Sequence, residues 1–173
     1  MDKKLLYQKA YRELENSTPL RYDCGLLCQN ACCKGDDETG MYVFPGEEVM
    51  LRSEGAGPEI RPSGFVTASG AGIGLALCRG HCKRSERPLS CRIFPLTPYI
   101  SAGGRLKIII DPRAVPLCPI AGNSGIKEMN PFFVRRVERV LRLLVQDSDI
   151  REFTEWLSVL IDDFAVLFRK KPG

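Results

Sequence analysis

Cys24-Gly25-Leu26-Leu27-Cys28-Gln29-Asn30-Ala31-Cys32-Cys33 sets four thiols into one short stretch, with the spacing C-x3-C-x3-C-C. Thiolates are soft ligands that suit zinc and iron–sulfur clusters. Two cysteines separated by two to four residues let one backbone turn aim both sulfurs at one metal. Cys24 and Cys28 have that spacing, as do Cys28 and Cys32, and Cys78 and Cys82 repeat it further along. Cys91 and Cys118 bring the total to eight. Eight sulfurs suffice for two four-cysteine sites. Adjacent residues send their side chains in different directions, so Cys32 and Cys33 are expected to serve one site each. That would tie the N-terminal cluster to the central one. The candidate metal ligands are therefore Cys24, Cys28, Cys32, Cys33, Cys78, Cys82, Cys91 and Cys118, holding zinc or an iron–sulfur cluster.

Plainer readings compete with this one. Eight is an even number, which suits disulfides in a secreted chain. The start, Met1-Asp2-Lys3-Lys4-Leu5-Leu6-Tyr7-Gln8-Lys9, returns to charge after two leucines and has neither an apolar core nor a small-residue cleavage site. The cytoplasm is the expected compartment, and there clustered cysteines bind metal or catalyse more often than they pair. Inert burial is the second alternative, because cysteine packs as a small hydrophobe. It applies best to Cys118 in Val115-Pro116-Leu117-Cys118-Pro119. His81, the one histidine, lies between Cys78 and Cys82. Imidazole suits zinc and iron, but with eight thiols present it reads better as a loop residue. Of the arginines flanking Cys91, Arg92 is the stronger candidate for supporting a sulfur and Arg87 the blander.

Other segments carry less chemistry. Asp36-Asp37-Glu38 lacks the alternating spacing of a calcium loop and reads as a solvated turn. Gly70-Ala71-Gly72-Ile73-Gly74 lacks the full phosphate-loop spacing and also reads as a turn. No Ser-His-Asp arrangement is open to a chain whose single histidine sits among cysteines.

The 173 residues fit one domain with room for a hydrophobic core, and the 44% apolar and 27% charged composition is that of a globular protein. The net charge of +4 comes from interspersed residues and gives no clear nucleic-acid signal. No stretch approaches the length of a membrane span.

Working outward, Lys3 to Glu15 reads as an amphipathic helix with Leu6, Ala10 and Leu14 on one face and Tyr7 and Tyr11 beside them. Met41 to Phe44 is a short apolar run, and Glu47 to Ser53 one or two helical turns. Gly55 to Gly64 reads as loop. Phe65 to Ala68 and Ile73 to Leu77 are candidate strands. Leu96 to Ala102 and Arg105 to Asp111 form a hairpin about Gly103-Gly104, with Pro98 marking an edge. Asn130 caps a helix that starts at Pro131 and carries the stripe Phe133, Val137, Val140, Leu141 and Leu144. A second helix starts at Asp149, with Glu152 completing a capping-box-like pair. Its stripe is Phe153, Trp156, Leu157, Leu160, Ile161, Phe164, Leu167 and Phe168, closed by Lys170 and Lys171. The two form an antiparallel helical hairpin joined by Gln146 to Ser148.

The fold class is therefore α+β: a small metal-stabilised domain with a β-hairpin, irregular cysteine-rich loops and a C-terminal helical hairpin. One cysteine-cluster domain spans 1–173, divided into an N-terminal helix (1–20), a metal-binding region (24–119) and the helical hairpin (130–170).

The cysteine stretch, together with Phe44-Pro45-Gly46-Glu47, Arg87-Pro88-Leu89-Ser90-Cys91-Arg92-Ile93-Phe94-Pro95 and Cys118-Pro119, resembles the CxxCxxCC cysteine-cluster family, a zinc- or iron-chelating domain. This chain has three residues rather than two in each of the first gaps. The same cluster resembles that of flagellin lysine N-methylases, which use S-adenosylmethionine and are associated with an iron–sulfur cluster. The resemblance covers the cluster, not the activity. It implies a metal-chelating module. The alternatives are a methylase-like or redox enzyme, and a structural zinc module whose helical hairpin meets a protein partner. Oligomeric state is not fixed by the sequence.

Overall fold

The computed structural model describes residues 2–34, 39–51, 57–78, 80 and 83–169, apart from the side chains of residues 123, 124, 168 and 169. The acidic run 36–38, the histidine at 81, the cysteine at 82 and the lysines at 170 and 171 lie outside the described residues.

Helix α1 spans Lys3–Leu14, and Asp2 caps it by accepting from the backbone N–H groups of Lys4 and Leu5. Its buried face is Leu6, Tyr7, Ala10, Tyr11 and Leu14, as the spacing predicts. A single turn, α2 (Gly25–Cys28), comes next. Strand β1 (Gly40–Tyr42) leads into the Phe44-Pro45-Gly46-Glu47 bend, after which a 3-10 turn covers Glu47–Met50.

Strands β2 (Glu59–Val66) and β3 (Gly72–Leu77) complete a three-stranded antiparallel sheet in the order β1-β3-β2. Residues 59–64 belong to β2, which corrects the loop expected there. Pairing against β3 outweighs the Gly and Pro content, and the edge position lets Pro62, opposite Gly74, do without an N–H. The ladder is irregular between Pro62 and Val66. The turn expected over 70–74 is confined to its first part, since Gly72 already pairs with Val66.

Helix α3 (Leu89–Ile93) precedes the hairpin of β4 (Leu96–Ile100) and β5 (Leu106–Ile110). Its register sets Leu96 against Ile110 and Pro98 against Ile108, so both strands are edges and Pro98 is tolerated. Of the two turn glycines, Gly104 takes the left-handed conformation (φ 73°), which a side chain would resist.

Helix α4 (Pro131–Leu144) buries all five residues of its expected stripe. Helix α5 runs over Ser148–Arg169. Asp147 caps it, accepting from the N–H groups of Asp149 and Ile150. Glu152 forms no capping box; its carboxylate accepts from the Ala68 N–H at 2.6 Å and ties the helix to the end of β2. Leu167 is 66% exposed, because the helix outruns the core it packs on. The two helices are consecutive, yet α4 packs chiefly on α1 and α5 on β4. Ser158 accepts from the Ile100 N–H, and Tyr99 donates to Asp162. Trp156 stacks on Phe65 and meets Tyr42 edge-on, while Phe153 meets Phe44.

One carboxylate links three of these segments. Glu47 is fully buried. It accepts from the Tyr11 hydroxyl at 2.6 Å, the Leu89 N–H at 2.6 Å and the Phe44 N–H at 3.1 Å. Tyr7 reinforces the docking by donating to the Pro45 carbonyl at 2.8 Å. Burial nevertheless pushes the Glu47 carboxyl up from 4.5 to about 7. The folded protein thus holds this proton more tightly than the unfolded chain. The associated stability is full below pH 4.5 and is lost as pH rises through 7. The stability advantage of wild type over Glu47→Gln should therefore shrink by about 3 kcal/mol between acid and mildly alkaline pH. Urea denaturation of both proteins across that range measures it; a constant difference would show a carboxylate ionised throughout.

Candidate metal centre

The α2 turn brings its two flanking thiols together. Cys24 precedes the turn and Cys28 ends it, with the Cys28 sulfur 4.0 Å from the Cys24 carbonyl oxygen. Gly25 permits this bend, since a Cβ there would overlap the Asn30 side chain. Gln29 and Asn30 then take left-handed backbone angles (φ 51° and 56°). This pair reverses the chain into a 3-10 turn over Ala31–Cys33 and presents the vicinal thiols. A left-handed Gln is an uncommon conformation, and strained residues of that kind concentrate at functional sites.

The other stations arrive from separate elements. Cys78 comes directly after the last residue of β3, and the Gly80 N–H donates to its sulfur. Cys91 sits in α3, which Glu47 positions through the Leu89 N–H. Cys118 is 8% exposed, and its N–H donates to the Ala114 carbonyl at 2.8 Å.

A cavity of about 150 Å³ collects Cys32, Cys33, Cys78 and Cys91, with Arg87 and the apolar side chains of Met41, Phe94 and Leu117 in its wall. Cys33 neighbours both Cys32 and Cys78, and its interaction with Cys32 has the sense of a hydrogen bond toward the Cys32 sulfur. That hydrogen bond from Cys33 draws the Cys32 thiol below its ordinary range. Donating it, together with burial, drives Cys33 far up, while the Arg87 charge pulls the other way on both Cys33 and Cys78. Cys24 is raised by burial first and then by the negative charges of Asp23, Cys118 and Cys28. Cys24 is thus within electrostatic reach of Cys118 and Cys28. Cys33 and Cys78 are within reach of each other, and Cys32 of Cys28, Cys24 and Cys91.

All seven described cysteines are free thiols. Among the described residues, no group of three or more His, Cys, Asp or Glu side chains stands at the spacing of a formed metal site. No helix in the described residues is long and apolar enough to cross a membrane.

The arginines exchange the roles expected of them. Arg87 lines the cysteine cavity. Arg92 turns away: it donates to the carbonyls of Arg87 and Ser85 and lies over the Tyr11 ring, 4.2 Å from its centroid. Sequence reasoning also missed Glu47 as the group that sets α3; the only signal was its place in the Phe-Pro-Gly-Glu motif. No family model, curated protein or solved structure matches the chain.

Thiolate fraction and access govern cysteine reactivity. In reduced, metal-free protein under limiting iodoacetamide, exposed Cys32 should be alkylated first and buried Cys118 last. Peptide mass spectrometry reads the order, and early labelling of Cys118 would contradict the arrangement described.

Proposed function

We propose that this chain is a metal-chelating protein whose clustered cysteine thiolates hold zinc or an iron–sulfur cluster. The observation that carries the reading is convergence: thiols from the 31–33 turn, the end of β3 and α3 face one cavity beside a guanidinium. Thiols kept only as packing atoms are usually buried and inert. Here Cys32 is exposed, and five others are only partly buried.

The residues fit such a group by their chemistry. The donors are all sulfur, the set suited to zinc and iron–sulfur clusters. Arg87 supplies positive charge where several thiolates would otherwise repel one another, and the apolar wall keeps the surroundings of low polarity. Cys32 and Cys33 line one cavity together, so assigning them to different centres rests on their adjacency in sequence and not on this arrangement. When bound, the group would supply cross-links between segments distant in sequence, and its binding free energy would add to folding. The sulfurs would draw closer on binding, ordering the turns that carry them.

Anaerobic purification with metal and sulfide analysis tests this. Colourless protein with zinc supports a scaffold. Brown protein with iron and acid-labile sulfide supports an iron–sulfur centre and the redox or methylase-like alternative. Metal-free protein that takes up neither zinc nor reconstituted iron and sulfide overturns the reading. Cys91→Ser should lower metal content and thermal stability together. Unchanged stoichiometry would remove Cys91 from the ligand set.

A further inference from the structure

On the other side of α3 from the cysteines, a cleft of about 470 Å³ opens against the end of α1. Arg12, Glu15, Asn16, Arg84, Ser85 and Arg92 line it, with Tyr11 beside them. Its size is that of a small-molecule site. Three guanidinium groups face a single carboxylate, leaving a formal excess of two positive charges.

That charge is only partly offset within the fold: Arg92 feels the Glu47 and Glu15 carboxylates and Arg84 that of Asp23, none of them in direct contact. Arg92 is 4% exposed, and its side chain donates to neutral carbonyls, those of Arg87 at 2.8 Å and Ser85 at 3.0 Å. Arg84 donates to the carbonyls of Glu15 (2.7 Å), Leu14 (3.1 Å) and Ser17. Among the described residues, Arg12, Arg84 and Arg92 form no ion pair with a carboxylate. Carbonyls orient a guanidinium but do not cancel its charge, and a charge removed from water without a directly paired counter-ion is costly. Burial and mutual repulsion depress Arg84, with Arg92 and Arg87 both contributing. Arg84 also covers the last carbonyls of α1, so the negative end of the helix is masked from the cleft. Asn16 and Ser85 add neutral polar residues to the lining.

We propose that this cleft binds a small doubly charged oxyanion of the phosphate class, either free or as the head of a phosphate monoester. Planar guanidinium groups recognise such anions through paired N–H donors. The proposal does not rest on the metal reading: Cys91 and Arg92 are consecutive in α3 but line different cavities.

The test is titration of the full-length, as-purified protein with inorganic phosphate and, separately, with glycerol phosphate, monitored by amide NMR shifts. Sodium chloride holds the ionic strength constant. Saturable shifts around Tyr11, Arg84 and Arg92 are expected. Arg12 and Glu15 are exposed, and their side chains make no hydrogen bond among the described residues, so both tolerate replacement. Arg12→Gln should weaken binding about tenfold, the loss of one charge-assisted contact. Glu15→Gln, which removes the opposing carboxylate, should tighten it several-fold. Tighter binding of glycerol phosphate than of phosphate supports an ester as the ligand, and the reverse supports the free anion. No saturable response to either probe, a response that chloride alone reproduces, or one that neither variant moves overturns the proposal.

Discussion

A single buried carboxylate organises this molecule. Glu47 sits in a bend between two short elements, has no exposure, and receives donors from α1, from its own turn and from the first residue of α3. Removing a carboxylate from water is expensive, and such a group is retained only where its partners are fixed. The requirement works in both directions. Tyr11, Phe44 and Leu89 hold the carboxylate, and the carboxylate holds them in register. The rest of α3 inherits its placement from Leu89. Within that helix, Cys91 faces the sulfur cavity and Arg92 the basic cleft, so one interaction governs the orientation of both.

The rest of the architecture separates into a packed body and a ring of short turns. The body is α1 on α4 and α5 on the β4–β5 hairpin, with aromatic contacts from Tyr42, Phe44 and Phe65 onto Phe153 and Trp156. Its inward-facing apolar side chains are buried, while Leu5, Phe132, Val159, Val166 and Leu167 stay on the surface. The cysteines are distributed differently, at the ends of β3 and α2, in the 31–33 turn and in α3. Placement at element ends lets a side chain face a shared cavity without interrupting a hydrogen-bond ladder. Arg84 performs the matching service for α1, closing carbonyls that the helix itself leaves open.

The parts of the fold that are legible in the sequence are those with strong periodicity. The stripes of α1 and α4 are readable because each turn of an amphipathic helix repeats the same instruction. The β4–β5 hairpin is readable from two apolar runs about Gly103-Gly104. Residues 59–64 are not, because edge-strand pairing tolerates Pro62 and local composition says nothing about a partner strand. Glu152 misleads because its competing donor, the Ala68 N–H, comes from a segment remote in sequence. The vicinal and spaced cysteines announce themselves as a group. The contrast between Arg87 and Arg92 does not, since two arginines flanking one cysteine look alike until the helix between them fixes which side each faces. Glu47 shows the same limit: a glutamate in a turn is ordinary until three donors are found pointing at it.

The distribution of cysteines along the chain also bears on what sets the spacing of their sulfurs. Bringing Cys24 near Cys118 closes a long loop, and the entropy of such a closure grows with the logarithm of its length. In this fold Cys118 belongs to the hydrophobic core and Cys24 packs against it, so carbon packing carries the closure. A substitution that loosens that packing would separate the two thiols without touching either of them. The spacing of these sulfurs is thus an output of the core, not a property of the turns that carry them.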